Sequence, residues 1–366
     1  MNNTFKKIIN KFDFYRAKIR NELLFTVDRL ISLSIVQWRR SNNTLKKNED
    51  SAKKQVLFCC YKITPGTANE SVEVETLEST LRQYKVGTYQ VTTLYWDELG
   101  GSYFPSIRFF RAVASLNPEY LILSSYNGAN HRHPSVHVLS IIAKREIKIY
   151  KLWWDSCVKK VTQAIIKIDP CVTKHIFLDN PTLNISFSQQ ELAKAPRIEK
   201  KLVGLYYPFI YTKSPQVKDI DVCFLGKIDS YRSVRGRFLK ALENKHLNIF
   251  LPDKNKKYSN VQYQDILNRS KIGINFSMSV DKHQLKARVF ETIRAGALLL
   301  EERNNQTSSL LVEGEHFIGF TSPEELLEQL ELYLSNEKIR LEISAKAYSK
   351  VSNDLNGNIF WGRVFD

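Results

Sequence analysis

Residues 272–301 read IGINFSMSVDKHQLKARVFETIRAGALLLE. The run 272–277 (IGINFS) is short and apolar, as a buried strand requires. The polar loop after it gives way to 288–295, whose apolar residues recur at helical spacing and stop at Gly296. A second apolar run, 297–301 (ALLLE), follows at once. Strand, helix and strand in this order predict a parallel pair joined by a helical crossover. Outward from this unit the alternation continues. On its N-terminal side lie a strand at 221–225 (DVCFL), a helix at 231–244, a strand at 247–251 and a helix at 260–269. On its C-terminal side, Ser322 is the expected cap of a helix at 323–334, with Glu324 and Glu325 in the acidic first turn. A helical tail at 337–365 is expected to run back over the first domain.

The first half repeats the pattern. Strands are expected at 55–61 (QVLFCCY), 89–95 (YQVTTLY), 120–125 (YLILSS), 147–154 (IKIYKLWW) and 175–178, with helices near 71–84, 105–116 and 134–144. A break with two prolines at 208–219 reads as a linker. At 366 residues the chain exceeds what one core usually organises, so two domains are expected. The fold class is therefore α/β: two Rossmann-like domains, 55–207 and 218–366, whose strand C-termini face each other across a cleft.

Residues 1–50 form a segment of their own. Phe5, Ile8, Phe12, Tyr15, Ile19, Leu23, Val27 and Leu30 make one apolar stripe among many lysines and arginines. Two readings fit: a basic amphipathic helix on an anionic membrane surface, or a helix packed on the rest of the protein or on a second subunit. No secretion signal or membrane-spanning run is visible, and a cytoplasmic protein, with the inner membrane face as a peripheral site, is expected. The formal net charge of +16 attracts polyanions. Its basic residues are dispersed and no nucleic-acid module is present, so a nucleic-acid partner is not expected. The five cysteines show no metal-ligand spacing and no disulfide pattern, and Cys59 and Cys60 should point to opposite sheet faces as buried free thiols.

Two segments carry candidate chemistry. In the first, strand 221–225 runs into Gly226, and Arg232 and Arg235 open the next helix. Glycine lets the backbone approach an anion, and a helix start with two arginines makes a phosphate cradle. In the second, Lys286 and Arg288 stand at the start of the helix that ends at Gly296, where they add to its dipole to neutralise a diphosphate. Glu291, one turn inside, can accept from ribose hydroxyls; the bland alternative is an ion pair with Arg288. In the first domain, His131, His133 and Asp155 follow strand ends and are candidate bases for an acceptor hydroxyl, with surface and core roles as the alternatives.

The stretches DVCFLGKIDSYRSVR, ILNRSKIGINFS, QLKARVFETIRAGALLLEE and VEGEHFIGFTSPEELLEQLELYL resemble, in order and spacing, the C-terminal domain of the spore-maturation-protein (CgeB-like) glycosyltransferases. These are relatives of the glycosyl transferases group 1 with the GT-B fold. The resemblance covers roughly the last 145 residues. It implies a nucleotide-diphosphate sugar as donor against the C-terminal domain, and a glycan, lipid-linked or protein acceptor against the N-terminal one. It implies that Arg288 and Lys286 contact the diphosphate and that Glu291 is the second glutamate of the E-x7-E motif. At the first glutamate of that motif stands His283. The segment 304–309 matches a loop that approaches the donor phosphates, which makes Thr307 and Ser308 candidate contacts. No DxD is present, so a metal is not demanded, and no cofactor beyond the donor is expected. A non-catalytic GT-B-like protein that binds nucleotide or glycan is the alternative.

Overall fold

The computed structural model describes residues 53–64, 70–71, 73–100, 105–126, 133–156, 159–206, 208, 216–226, 233–242, 246–253, 258–278 and 282–366. The segment 1–50 lies outside the described residues. Two sheets carry the architecture. The first holds β1 (Lys54–Cys60), β2 (Tyr89–Tyr95), β3 (Tyr120–Ser124), β4 (Lys148–Trp153), β5 (Lys174–Phe177) and β6 (Leu202–Gly204), in the order β2-β1-β3-β4-β5-β6. The second holds β7 (Ile220–Cys223), β8 (Ile249–Phe250), β9 (Ser270–Asn275), β10 (Leu298–Glu302) and β11 (Ile318–Phe320), in the order β11-β10-β9-β7-β8. All pairings within both sheets are parallel. This is the expected pair of Rossmann-like α/β sheets.

The strands are apolar runs because helices cover both faces. In β1 the residues from Val56 to Cys60 are all buried. Cys60 belongs to the core on one face and Cys59 to the core on the other, as period-two alternation dictates. Cys59, Cys60, Cys171 and Cys223 are buried free thiols.

The unit from β9 to β10 forms as its sequence requires. Helix Ala287–Arg294 connects the two strands, and Gly296 follows it with φ +68. That left-handed residue turns the chain, and its N–H reaches the carbonyl of Ile293 at 2.9 Å. The Ser322 hydroxyl accepts the Glu325 N–H at 3.1 Å and caps Pro323–Ser335.

The segment 71–84 departs from a regular helix: Glu73–Glu78 is a π-type turn that passes into the short α-helix Ser79–Gln83. Helix Trp96–Gly100 and strand β6 are additions that apolar periodicity did not single out. The tail forms helices Glu337–Asp354 and Gly357–Phe365. The second of these lies on the first sheet's layer. Trp361 meets the Phe58 ring edge-on at 6.3 Å, and its indole N–H donates to Thr80 Oγ1 at 2.9 Å. Phe365 stacks on Tyr89 at 4.5 Å. One apolar core consequently runs from β1 and β3 through Val289, Phe290 and Leu299 to the C-terminal helices. Among the described residues no helix is long and apolar enough to cross a membrane.

Candidate functional site

In each sheet the strand order reverses around one strand. β1 sits between β2 and β3, and β7 sits between β8 and β9. The connections diverge there, leaving a crevice beyond the strand C-termini. Among the described residues, different charged groups stand at the two strand-end crevices. In the first, Glu73 is 3% exposed and accepts from the Tyr61 N–H at 3.0 Å, from the Ser125 hydroxyl at 2.6 Å and from the Ser124 hydroxyl. An anion placed beside this buried carboxylate would meet like charge in a poorly solvated setting. In the second crevice stands a guanidinium.

That guanidinium is Arg288, in the first turn of helix Ala287–Arg294. Its Nη1 donates to Asn275 Oδ1, at the end of β9, at 2.8 Å. Its Cζ lies 5.4 Å from the centre of the Phe224 ring, just after β7. A Cβ on Gly226 would fall 2.4 Å from that ring and 3.2 Å from Arg288 Nη1. Glycine there keeps the loop from crowding the cation. Arg288 Nε is buried without a hydrogen-bond partner among the described residues, a donor left over at the site.

Lys286 occupies the N-cap position in extended backbone, and its side chain does not cap this helix. The first N–H groups of the helix therefore lack the usual side-chain acceptor, and the positive dipole end adds to both cations. The Lys286 ammonium donates to Gln284 Oε1. Burial pulls its pKa below that of an ordinary lysine; Asp155 and Asp179 oppose the shift, while Arg235 and Arg288 reinforce it.

Glu291 turns to a different partner from Arg288: the Tyr263 hydroxyl donates to its Oε2 at 2.6 Å. Burial raises the Glu291 pKa, against the pull of Tyr263 and Arg288. Arg235 is buried and donates to the carbonyls of Phe276 at 3.2 Å and Met278 at 3.3 Å, bracing the strand end beneath the site. Arg232 lies outside the described residues.

Beneath Arg288 is a buried hub that the sequence did not announce. Glu301 on β10 is 0% exposed. It accepts from Asn275 Nδ2 at 2.7 Å, Asn304 Nδ2 at 2.9 Å, the Thr307 hydroxyl at 3.4 Å and the Ser277 hydroxyl. Burial pushes its carboxyl up to about 7, against these donors. Thr307 is wholly buried, with its N–H donating to Asn304 Oδ1 at 2.8 Å. Its N–H and hydroxyl are thus committed to Asn304 and Glu301, and the expectation of a direct phosphate contact fits Thr307 poorly. Ser308 is exposed.

Across the cleft, the three candidate bases separate. His131 lies outside the described residues. His133 is 1% exposed, with its Nε2 3.1 Å from the Tyr61 hydroxyl and its ring among Tyr61, Trp96 and Tyr126. That is the setting of a core histidine, buried among three aromatic rings. Asp155 follows β4 in left-handed backbone, φ +53, and faces the second sheet. The Gln284 side-chain amide donates to Asp155 Oδ1 at 3.3 Å and to Asp179 Oδ2. The Leu285 N–H donates to the Asp179 carbonyl at 2.9 Å. The structure thus brings Asp155 together with Gln284 and Lys286.

Among the described residues no group of three or more His, Cys, Asp or Glu side chains is placed to hold a metal ion. Asn275, Gln284, Glu301, Asp179 and Glu73 escaped the sequence reading. The one available signal was position: each lies at or just beyond the C-terminal end of an apolar strand, or in the connection leaving it.

Compared with known proteins, residues 232–357 match the family described as Glycosyl transferase-like. No curated protein matches the chain in sequence. Among solved structures, HepE of Anabaena in complex with UDP and glucose is similar over 85% of this chain and 99% of its own, with TM-score 0.55 and 10% identity. The β-glucosyltransferase of T4 phage is similar over 85% of this chain and 98% of its own, with TM-score 0.52 and 15% identity. A glycosyltransferase from Rickettsia africae is similar over 86% and 97%, with TM-score 0.55 and 11% identity. At these identities the likeness establishes the two-lobed fold.

Proposed function

We propose that this chain, a glycosyltransferase of GT-B architecture, moves a hexose from a uridine-diphosphate sugar to a glycan or lipid-linked hydroxyl without a metal ion. The observation that carries the reading is the charge contrast between the two crevices. Among the described residues, the second presents Arg288, Lys286 and the start of their helix together, whereas the first holds the buried Glu73 carboxylate. A nucleoside diphosphate carries its charge into the second. HepE, whose fold this chain shares, was solved with UDP and glucose, which supports uridine as the base.

In the transfer, the bond between the sugar's anomeric carbon and the diphosphate oxygen breaks, and the acceptor oxygen bonds to that carbon. The leaving diphosphate gains negative charge as the bond lengthens. Arg288, Lys286 and the helix dipole stabilise that charge more in the transition state than in the ground state. Glu291, oriented by Tyr263, holds ribose hydroxyls. Asp155 receives the acceptor proton, since it is the candidate base that faces the donor lobe. Segment 1–50, with its apolar stripe and clustered basic residues, brings the enzyme to an anionic membrane where a lipid-linked acceptor would lie.

The test is a thermal-shift screen of nucleotide sugars with and without EDTA, followed by assay of nucleotide release. One or more UDP-hexoses should raise Tm in both conditions and be turned over. Stabilisation without any turnover on any acceptor or water would favour a binding protein instead. Dependence on a divalent ion would remove the metal-free part.

A further inference from the structure

The donor-site reading leaves the Glu301 hub unused, and its geometry has a specific consequence. Arg288 Nη1 donates to Asn275 Oδ1, and the amide of the same side chain donates to Glu301 Oε2. An amide has one acceptor end and one donor end. Its orientation toward Arg288 is therefore fixed by what it meets at the other end, which is Glu301 at 2.7 Å, with the Ser277 hydroxyl as a longer second acceptor at 3.4 Å. The opposite carboxylate oxygen, Oε1, gathers Ser277, Asn304 and Thr307. Asn304 is also the cap of the turn Asn305–Ser308. A single buried carboxylate thus aligns the cation on one side and the turn on the other.

We propose that Glu301 is a positioning residue for the donor diphosphate, setting Arg288 through Asn275 and the 304–308 turn through Asn304. This rests on the reading of Arg288 as a donor-phosphate contact.

The ionised form is the one that does this, because every polar neighbour named above donates to it. Protonated, the carboxyl can place its hydrogen only on the Ser277 or Thr307 hydroxyl, and its hold on the Asn275 amide loses its charge assistance. The charged groups around it are Glu302, whose repulsion raises the Glu301 pKa, and Arg288 beyond Asn275. With the carboxyl held up to about 7, the arrangement tightens as pH rises through neutrality. Glu301→Gln keeps the shape and reverses the logic. If the new amide keeps its oxygen toward Ser277 and Asn304, its NH2 faces the Asn275 NH2. Asn275 must then turn over and offer its own NH2 to Arg288, losing that bond.

The experiment titrates UDP-glucose into wild type, Glu301→Gln, Asn275→Ala and Arg288→Ala between pH 6 and 8.5. UDP-glucose is chosen because its diphosphate diester does not titrate near neutrality. Wild-type affinity should rise with pH across this range. Glu301→Gln should bind about tenfold to a hundredfold more weakly, as expected for a lost charge-assisted hydrogen bond, and its pH profile should be flat. Asn275→Ala should weaken binding similarly while keeping the carboxylate, and it carries the test if Glu301→Gln fails to fold. Wild-type affinity in both variants overturns the proposal, as does a pH step that persists in Glu301→Gln. If Arg288→Ala loses binding while the other two do not, the hub role fails and the donor site stands. If Arg288→Ala binds normally, the donor-site reading fails with it.

Discussion

Lys151 is a lysine enclosed in the first sheet, with its ammonium 4.3 Å from the centre of the Trp153 ring and donating to the Leu152 carbonyl. Burial pulls its pKa from 10.5 down to about 7, with Glu73 pulling the other way. The fold thus favours the neutral amine. Between pH 7 and the unfolded value the unfolded chain binds more protons, so the Lys151 contribution to stability rises with pH there. Lys151→Met removes the penalty. Its Tm at pH 7 should exceed that of wild type, and the difference should shrink toward pH 10. A lower Tm at pH 7 with an unchanged pH slope would contradict this. Glu301 has the opposite sign. Its carboxyl is raised from 4.5 to about 7, so its contribution falls as pH rises through that window. Residues of this kind were hard to read in sequence. Lys151 stands in an apolar run where alternation gives no hint of charge burial, and Glu301 with Glu302 looks like a strand leaving the core for water. Arg288 and Lys286 were legible because a helix start gives two cations a reason to be there.

At the scale of the element, helix Ala287–Arg294 is short, and its ends do much to define it. It opens without a side-chain cap, which leaves its N–H groups for a ligand. It closes on Gly296 at φ +68, a conformation that an alanine adopts at a cost of about 1–2 kcal/mol. Gly296→Ala should lower the unfolding free energy by that order, with donor affinity weakened only through misplacement of the helix. Chemical denaturation checks this, and an unchanged midpoint would show that the turn relaxes without strain. The alternation of strand and helix was visible because strands buried on both faces must be apolar throughout. Helix Trp96–Gly100 was not, since a single turn is too short to show a period. The π-type turn Glu73–Glu78 reads as an ordinary helix, because its placement of Glu73 beside Tyr61, Ser124 and Ser125 depends on tertiary contacts.

Across the whole molecule, the two sheets present their strand C-termini to one another, and Gln284 and Leu285 reach from the second to Asp155 and Asp179 of the first. The C-terminal helix Gly357–Phe365 returns to the first sheet's layer, with Trp361 wholly buried. That return was expected from the helical tail. The depth of the shared core was not, because no local pattern says which surface a distant helix will cover. Segment 1–50 adds a further arm to the account. Its deletion should abolish sedimentation with vesicles containing anionic lipid while leaving UDP-glucose binding intact, and unchanged sedimentation would assign the stripe to protein packing.

The central claim, that the nucleoside diphosphate binds at the start of helix Ala287–Arg294, is tested most directly by calorimetric titration of the donor into wild type, Arg288→Ala and Glu291→Ala. The account predicts that both variants remain folded and lose donor affinity, Arg288→Ala the more severely. Normal donor affinity in both would contradict it.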